Sequence, residues 1–321
     1  MGDSPSVAVV IPSWNSLGYL PRCIGSLRSQ GDELELLVVD NGSGDGSVEY
    51  LECEKVPYVS LPQNIGFAAA VNLGVARTGA PAILALNADT VLESGCVSTL
   101  LDALLDDETL GGVQPRILQL EDGESKLSPD AARLYSAGQA LTKDGRAVEL
   151  GMGEGQGLWS AERREIFGVC GAACLLRREL FADLGGYDES YFAFYEDVDL
   201  NVRARIAGWR FEYIPEAVVW HVGNASWLEG FQRPTADNAR LVARNRFATQ
   251  VKFMPATAIP RVAVAEAGSL LRAARERRFL ATLRGKLSAL PWLPRLLRER
   301  RRLRSEGDPS SARRWLGRAG G

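Results

Sequence analysis

Short apolar segments that alternate with stretches of helical length constrain the fold of this chain most strongly. Three are largely continuous apolar runs, and a fourth is weaker: VAVVIP (7–12), LELLVVD (34–40), AILALN (82–87) and YVSL (58–61). Continuous apolar runs are typical of strands that are covered on both faces. Amphipathic segments of helical length follow them, at 17–29, 46–54, 67–78 and 94–106. The alternation predicts an α/β fold with a mostly parallel central sheet flanked by helices.

A polar loop follows each of these four strands. The loops read PSWN (12–15), DNGSGDGS (40–47), PQNIGFAAAVNLG (62–74) and NADT (87–90). Each loop alone is explained by turn chemistry, because turns favour Gly, Asn and Asp. In a parallel sheet, however, ligands bind beyond the carboxyl ends of the strands. Four polar loops at four such ends predict one binding crevice.

The rest of the chain predicts a second, less regular half and a helical end. Residues 117–165 are rich in glycine and charge, which indicates an irregular insertion near the site with a short hairpin. The patterns that follow predict strands at 168–178, 210–215 and 217–223, and helices at 179–189 and 197–207. From about residue 235 the pattern is helical, with breaks at Pro255, Pro260, Pro291 and Pro294.

Cysteine usage and hydropathy favour a cytoplasmic protein. The five cysteines are an odd number and are scattered without a C-x-x-C pair, which is typical of reduced thiols rather than a disulfide frame or a zinc site. The N-terminus shows no signal-peptide pattern, and no apolar run approaches the length of a membrane span.

The charge is divided unevenly along the chain. Residues 261–321 contain 16 Lys+Arg and 5 Asp+Glu, whereas the whole chain has a net charge of −3. Leucines and two tryptophans are mixed with these basic residues. Such a segment can lie on the inner face of an anionic plasma membrane as a peripheral contact. The alternative is a helical extension that packs on its own core or on a second subunit of a homodimer. No nucleic-acid motif appears, and the body is acidic, so nucleic acid is not an expected partner.

Several single residues carry candidate chemistry. Asp40 ends a buried strand, where a carboxylate can accept hydrogen bonds from a base or a ribose. Asn87 and Asp89 lie two apart at a strand end and could hold one Mg²⁺ or Mn²⁺ together with a diphosphate. His221, the chain's one histidine, could complete a metal shell, although a lone histidine is more often structural.

The segment YFAFYEDVDLNVRARIAGWR (191–210) places carboxylates next to a cluster of aromatic residues. Acids in a first helical turn complement the helix dipole, and Asp199 lies four residues before Arg203. When the segment is considered alone, this helix chemistry is enough to explain why Glu196 and Asp197 are present.

Taken together, the motifs resemble the family-2 inverting glycosyltransferases, which have the GT-A fold. The resemblance covers roughly residues 6–250 and is nearest to the rhamnosyltransferase-like branch, which builds bacterial surface polysaccharides. The matching stretches are VVIPSWN, VDNGSGDGS, NIGFAAAVNLG, LNADT, GAACLLRRELFADLGGYDESYFAFYEDVDLNVRARIAGW and HVGNAS.

The resemblance implies a role for each candidate residue. Pro12, Asn15 and Asp40 would line the nucleotide pocket, with Asn64 and Gly66 near the nucleotide-sugar. Asp89 would bind the metal in the family's Asp-x-Asp position, where this chain has the neutral Asn87 as first member. His221 would be a further metal ligand. Of the pair Glu196 and Asp197, Asp197 would be the catalytic base, and the aromatic residues of YFAFY would form a stacking wall for sugar rings.

The resemblance also implies the reaction and the organisation of the chain. The expected donor is a nucleoside-diphosphate-sugar, with dTDP-rhamnose as one candidate, and the expected acceptor is a saccharide or lipid-linked saccharide of a bacterial cell wall or surface polysaccharide. The GT-A domain would span residues 1–250, with nucleotide-sugar binding in 1–116 and acceptor binding and catalysis in 117–250. A basic helical extension would follow at 251–321. A sugar nucleotidyltransferase and a catalytically inactive nucleotide-sugar-binding scaffold remain alternative functions.

Overall fold

The computed structural model describes residues 6–31, 34–120, 128–155, 157–159, 161–223 and 235–317. The first third of the chain alternates strands with helices, as the apolar pattern predicts. Its elements are β1 (Val7–Ser13), α1 (Leu20–Arg28), β2 (Leu34–Asp40), α2 (Ser47–Cys53), β3 (Tyr58–Ser60), α3 (Phe67–Ala76), β4 (Ala82–Leu86), β5 (Thr90–Leu92) and α4 (Cys96–Asp106).

The middle third adds strands to the same sheet and carries a separate hairpin. It comprises β6 (Leu110–Gln119), β7 (Leu134–Ser136), β8 (Gln139–Leu141), β9 (Ala147–Glu149), β10 (Arg164–Ile166), β11 (Ala173–Arg177), α5 (Arg178–Asp183), α6 (Glu196–Ala207) and β12 (Arg210–His221). β8 and β9 pair antiparallel with each other, so the expected short hairpin is present.

The main sheet has the order β10-β12-β6-β11-β4-β1-β2-β3, with β5 and β7 pairing at its side. The pairings of β1 with β2 and β4, of β2 with β3 and of β12 with β6 are parallel, whereas β11 runs antiparallel to both of its neighbours. All strands of this path except β10 and β11 therefore point in one direction. This confirms the expected α/β fold with a mostly parallel central sheet.

Both faces of the central strands are buried, which explains their continuous apolar sequences. Val9 and Ile11 of β1 belong to the core layer that also contains α1 and α4, whereas Val10 packs into the opposite layer with α3 and α5. A strand with polar residues at alternate positions would expose them to one of these cores.

The structure corrects three strand predictions. β6 was not expected, because LGGVQPRILQ contains two glycines and a proline, which are unfavourable in strands. The glycines are required by packing: a Cβ atom on Gly111 would lie 2.1 Å from Leu180 Cδ1. The two strands expected at 210–215 and 217–223 form the one strand β12, with a register shift between Ile214 and Val218. The strand expected at 168–178 begins later, at Ala173.

Helices form the last part of the described chain, as expected. They are α7 (Ala236–Phe253), α8 (Ile259–Arg275), α9 (Phe279–Ser288), α10 (Leu293–Glu306) and α11 (Pro309–Arg313). α9 packs on α7, and α10 packs on α7 and α6. Across the described helices, none combines the length and the apolar character needed to cross a membrane.

Candidate active site

A cleft of about 310 Å³ opens where β1, β4 and β12 end and α6 begins. Both the first third and the middle third of the chain contribute to its walls. Most of the predicted site residues line it: Pro12, Asn64, Asn87, Asp89, Glu196, Asp197 and His221. Asn15, Asp40 and Gly66 are not part of the lining. Asn15 and Asp40 directly adjoin lining residues in the sequence, and Gly66 is hydrogen-bonded to the lining residue Asn64.

Asn15 joins the first two polar loops. Its backbone N–H donates to Ser43 Oγ at 2.9 Å, and its side-chain oxygen accepts the N–H of Gly44 at 2.9 Å. This contact fixes the loop that carries Pro12 and Trp14 into the cleft wall. Asn15 itself has a φ of +50°, a conformation that asparagine tolerates better than most residues.

Asp40 is fully buried at the end of β2. Its Oδ2 accepts hydrogen bonds from the N–H of Ser43 and the hydroxyl of Ser60, both at 3.3 Å. Its Oδ1 is buried without a hydrogen-bond partner among the described residues. A buried carboxylate oxygen without a partner is unfavourable, so it is a candidate acceptor for a ligand donor.

Gly66 is the point at which the loops after β2 and β3 meet the loop that precedes α6. Its φ of +94° is accessible to glycine, and a Cβ atom there would lie 2.6 Å from the ring of Phe192. The Asn64 side chain accepts the Gly66 N–H at 2.8 Å, and the Asn41 side chain donates to its carbonyl at 3.2 Å. Asn41 also lines the cleft, although the sequence did not single it out.

The predicted metal-binding residues converge at the tips of β4 and β12. His221 Nε2 lies 3.1 Å from Asp89 Oδ1 and 3.3 Å from Asn87 Nδ2. The edge of the Tyr135 ring packs against the imidazole, with ring centroids 4.5 Å apart. The antiparallel pairing of β5 with β12 places Thr90 opposite His221, which brings the two strand ends together.

This donor set fits a site that a substrate completes. Among the residues that the structure describes, no three His, Cys, Asp or Glu side chains cluster as a full metal cage. One carboxylate, one imidazole and one amide are present instead. Mg²⁺ is commonly held by one or two carboxylates together with substrate phosphates and water. A divalent ion that also binds a diphosphate is therefore compatible with Asn87, Asp89 and His221.

The two candidate catalytic acids occupy the first turn of α6 and differ in their partners. Asp197 Oδ2 accepts the Gly171 N–H at 2.9 Å and the Gln139 side-chain amide at 2.8 Å, and its Oδ1 accepts the Val198 N–H at 2.7 Å. Glu196 Oε2 is buried and has no hydrogen-bond partner among the described residues.

These partners determine which acid retains its charge more readily. Burial raises the pKa of Glu196 well above its usual range, and the neighbouring Asp197 carboxylate adds to the shift. Burial also raises the pKa of Asp197, but its three N–H donors oppose that effect by stabilising the charged form. The geometry therefore favours a negative charge on Asp197.

The loop before α6 has an unusual backbone. Phe192, Phe194 and Tyr195 have φ values of +65°, +67° and +70°, although none is a glycine. Phe194 and Tyr195 line the cleft, whereas Tyr191 is fully buried in the core and Phe192 packs on Gly66. The aromatic wall expected from YFAFY therefore consists of part of that cluster.

The hairpin supplies two cleft residues that the sequence patterns did not reveal. Gln139 donates through one amide nitrogen to both Asp197 Oδ2 and Glu149 Oε1, the latter at 3.0 Å. Ser136 donates to Glu149 Oε2 at 2.5 Å. Burial raises the pKa of Glu149 to about 7, and the charge of Asp197 adds to the shift. Gln139 and Glu149 lie in short strands whose sequences contain no recognisable motif. Only the strand pattern itself could have drawn attention to these two residues.

One motif continues beyond the described residues. HVGNAS was expected to contribute to the site through His221, whose position is described above. Its last three residues, 224–226, lie outside the described residues, and so does the segment that leads to α7.

Comparison with known protein families and curated proteins gives consistent matches. The model of a family described as glycosyl transferase family 2 matches residues 8–185. The N-acetylglucosaminyl-diphospho-decaprenol L-rhamnosyltransferase of Mycobacterium tuberculosis is 29% identical over 237 residues, which cover 66% of this chain and 75% of the relative. The pre-mycofactocin glycosyltransferase of the same species is 32% identical over 67% of this chain, but the match spans only 42% of that protein.

Solved structures with the same fold include metal-bound glycosyltransferases. GalNAc-T7 with UDP, GalNAc and Mn²⁺ matches 77% of this chain and 50% of its own, with a TM-score of 0.57 and 16% identity. A mannosyltransferase of Pyrobaculum calidifontis in complex with GDP-Man and Mn²⁺ matches 97% of this chain and 86% of its own, with a TM-score of 0.51 and 17% identity. At these identities the likeness establishes the fold, which is of the GT-A type.

Proposed function

Because the chain belongs to glycosyl transferase family 2, we propose that it transfers a sugar from a nucleoside-diphosphate-sugar to an acceptor hydroxyl with inversion at the anomeric carbon. One observation carries the proposal. A half-buried carboxylate held by N–H donors and a separate carboxylate–imidazole–amide cluster line the same cleft. Inverting transfer needs these two functions in one site: a base for the acceptor hydroxyl and a group that neutralises the leaving diphosphate.

In this proposal the nucleotide side is built on β1, β2 and the loop before α3. Pro12 and Asn64 line the cleft directly, and Asp40 offers a base or ribose donor a buried oxygen that no described residue pairs with. Asn15 and Gly66 act through the loops that they hold in place. A divalent cation, Mg²⁺ or Mn²⁺, bound by Asp89, His221 and Asn87, would neutralise charge on the diphosphate.

Asp197 is proposed to take the proton of the acceptor hydroxyl. Gly171 and Gln139 hold its Oδ2, so the carboxylate has a fixed orientation before substrate binds. General-base assistance of this kind contributes about 10²–10⁴ in rate. Glu196 has the higher tendency to remain protonated and is the less favoured base.

The proposed acceptor is a saccharide or lipid-linked saccharide in bacterial cell-wall or surface polysaccharide synthesis, with dTDP-rhamnose as the first donor to test. The name of the Mycobacterium tuberculosis relative, N-acetylglucosaminyl-diphospho-decaprenol L-rhamnosyltransferase, supports this choice. The proposal includes a cytoplasmic location and a peripheral contact of residues 261–321 with an anionic membrane. The excess of basic residues in that segment supports the contact.

The test combines donor binding with a matched pair of variants. Nucleotide-sugars are screened for protection against thermal unfolding with Mn²⁺ and with EDTA, and the best donor is used for transfer assays. Asp197→Asn keeps the shape of the side chain but is a far weaker base, so we expect transfer to fall at least about 10²-fold while donor binding changes little.

Two further variants make the outcome specific. Asp102→Asn removes an exposed carboxylate on α4 and should leave transfer unchanged. Near-normal transfer by Asp197→Asn together with an inactive Glu196→Gln would reassign the base to Glu196. Donor protection without transfer to any saccharide acceptor would favour the scaffold alternative, and release of pyrophosphate would favour a nucleotidyltransferase.

A further inference from the structure

Exposed apolar side chains are concentrated on the C-terminal helices. Eleven large apolar side chains are exposed among the described residues, and eight of them lie between residues 259 and 297. The remaining three are Trp14, Leu105 and Met152, which are far apart in the sequence. Scattered exposed apolar residues are normal, but a contiguous group of them indicates an interaction surface.

Helix α8 is amphipathic, yet its apolar side is uncovered. Its exposed residues Val264, Ala267, Leu271 and Ala274 recur every three or four positions, so they share one side of the helix. Val264 is 74% exposed and Leu271 is 63% exposed, whereas Ala273 is the one residue of this helix that is buried. The apolar side of α8 therefore contributes almost nothing to the protein's own core.

Helix α9 has the same division, with its other side fixed to the body. Gly285 packs so closely on α7 that a Cβ atom there would lie 2.3 Å from the Arg240 carbonyl oxygen. The opposite side of the helix carries exposed Phe279, Leu280 and Leu287. Since α9 is held by α7, its outward apolar side is a fixed feature of the surface. We call the apolar side chains of these helices and the following turn the outer face: Val264, Leu271, Phe279, Leu280, Leu287 and Leu290.

The segment that carries the outer face is strongly basic. Residues 259–290 contain seven Lys+Arg and two Asp+Glu. Arg272, Arg275 and Arg277 are exposed, and the most buried cation of the segment, Lys286, is paired with Glu266. Apolar residues bordered by exposed arginines match a bilayer interface, where the apolar chains enter the acyl boundary and the cations meet anionic headgroups.

The same charge disfavours a second copy of the chain as the covering partner. In a twofold dimer a surface patch meets itself, so the exposed arginines of two outer faces would lie against each other. Repulsion between like charges in a partly desolvated interface opposes that arrangement. An anionic surface has the opposite charge and carries no such penalty.

We infer that the outer face docks on the surface of an anionic lipid bilayer. This inference extends the membrane contact proposed above and assigns it to α8 and α9 rather than to the whole basic extension. α10 and α11 are excluded because they pack on the catalytic body, with Leu296 fully buried. Helix α7, on which α9 packs, also reaches the cleft, because its residue Val242 is part of the cleft lining. Docking would therefore place the cleft near the membrane surface.

The test is co-sedimentation of the full chain with vesicles, without donor or acceptor, so its result does not depend on transferase activity. We expect binding to vesicles of phosphatidylglycerol mixed with phosphatidylcholine, little binding to phosphatidylcholine alone, and weaker binding at high salt. The triple variant Leu271→Ser, Leu280→Ser, Leu287→Ser should lower the partition coefficient at least about tenfold.

Controls separate the outer face from general effects of apolar loss. Leu105→Ser with Met152→Ser removes exposed apolar side chains elsewhere and should leave vesicle binding unchanged. Arg272→Gln, Arg275→Gln, Arg277→Gln should weaken binding to the anionic vesicles at low salt. Melting temperatures should be equal across all variants, because every altered side chain is exposed.

Absence of binding to anionic vesicles, or binding unaffected by the triple variant, would overturn the inference. A dimer in sedimentation equilibrium that the triple variant dissociates would show that a second copy covers the face instead.

Discussion

At the scale of single residues, the cleft distinguishes chemically similar groups by their hydrogen-bond partners. Glu196 is buried and the adjacent Asp197 is half-buried. Among the described residues, Asp197 receives three N–H donors, whereas Glu196 Oε2 receives none. The negative charge of Asp197 contributes to the raised pKa of the nearby Glu149. Placing three carboxyl groups together in a partly desolvated cleft is costly, so the protein holds most of the negative charge where donors are supplied.

The metal proposal predicts opposite effects for two neighbouring substitutions. Asp89→Ala should abolish the difference in donor affinity between Mn²⁺ and EDTA, because it removes the carboxylate of the cluster. Asn87→Asp should retain or increase that difference, because a carboxylate is a stronger ligand for hard cations than an amide. Calorimetric titration of the donor measures both. If EDTA leaves donor binding and transfer by the unmodified protein unchanged, the metal site is refuted.

Glu149 predicts a specific pH dependence of stability. Its ordinary pKa of 4.5 is raised to about 7 in the folded protein. Because the folded state holds the proton more tightly, this group's stabilising contribution is complete below 4.5 and is lost as the pH rises through about 7. Glu149→Gln keeps the acceptor oxygen for Gln139 or Ser136 and cannot ionise. Its melting temperature should exceed that of the unmodified protein above about pH 7, and the gap should close towards about pH 5. A gap that is constant with pH would show that Glu149 does not titrate in this range.

At the scale of elements, the loop before α6 is held in a strained form by a neighbouring helix. Phe192, Phe194 and Tyr195 are in the left-handed region, which costs of order 1–3 kcal/mol for each such residue. The side-chain amide of Asn245 on α7 donates to the carbonyls of Tyr191, Ala193 and Phe194 at 2.9, 2.8 and 2.7 Å. The loop conformation that positions the first turn of α6 therefore depends on a helix more than forty residues further along the chain.

Asn245→Ala should separate loop positioning from general stability. We expect the free energy of unfolding to fall by about 1–3 kcal/mol, because buried carbonyls lose their donor. We also expect kcat to fall more than the donor KM rises, since the loop leads into the acids rather than the nucleotide side. Gln250→Ala is the matched control: this buried amide on the same helix donates to the Asp144 carbonyl and to Glu266, and none of its hydrogen bonds to described residues reaches the loop. Equal loss of kcat in both variants would mean that α7 acts through stability alone.

At the scale of the whole molecule, the basic extension divides into two parts with different surroundings. α8 and α9 carry the outer face, whereas α10 and α11 return to the catalytic body. The buried ammonium of Lys252 pairs with Asp199 of α6 at 2.7 Å and with Glu299 of α10 at 2.8 Å. Arg205 of α6 stacks on Trp315, with the guanidinium carbon 4.5 Å from the ring centroid. The chain segment after α9 is therefore part of the folded body.

Two adjacent leucines of α10 test this arrangement. Leu296 is fully buried and Leu297 is 44% exposed. Leu296→Ala should lower the free energy of unfolding by about 2–5 kcal/mol through lost burial and a cavity. Leu297→Ala should change it by no more than about 0.5 kcal/mol. Denaturant unfolding measures both, and similar small effects would show that α10 is not packed on the body in solution.

The order of strands and helices in the first third, and the polar loops that follow those strands, could be read from the chain itself. Burial on both faces requires continuous apolar segments, and turns at strand ends require Gly, Asn and Asp, so both features leave a local pattern. Asn87, Asp89 and His221 could be named from their residue types and their places at strand ends, whereas the resemblance to family-2 glycosyltransferases singled out Asp197. The structure brings all four to one cleft.

Other features left no local pattern because they depend on contacts between distant segments. β6 contains two glycines and a proline, and it is a strand because β11 and β12 pair with its two edges. Gln139 reaches Asp197, and Glu149 reaches Gln139, through the fold of a hairpin. Asn245 reaches the loop before α6 from α7. A hydrogen-bond donor or a close-packed glycine is useful only where its partner lies. That position is set by the packing of whole elements, which the periodicity of a single segment does not encode.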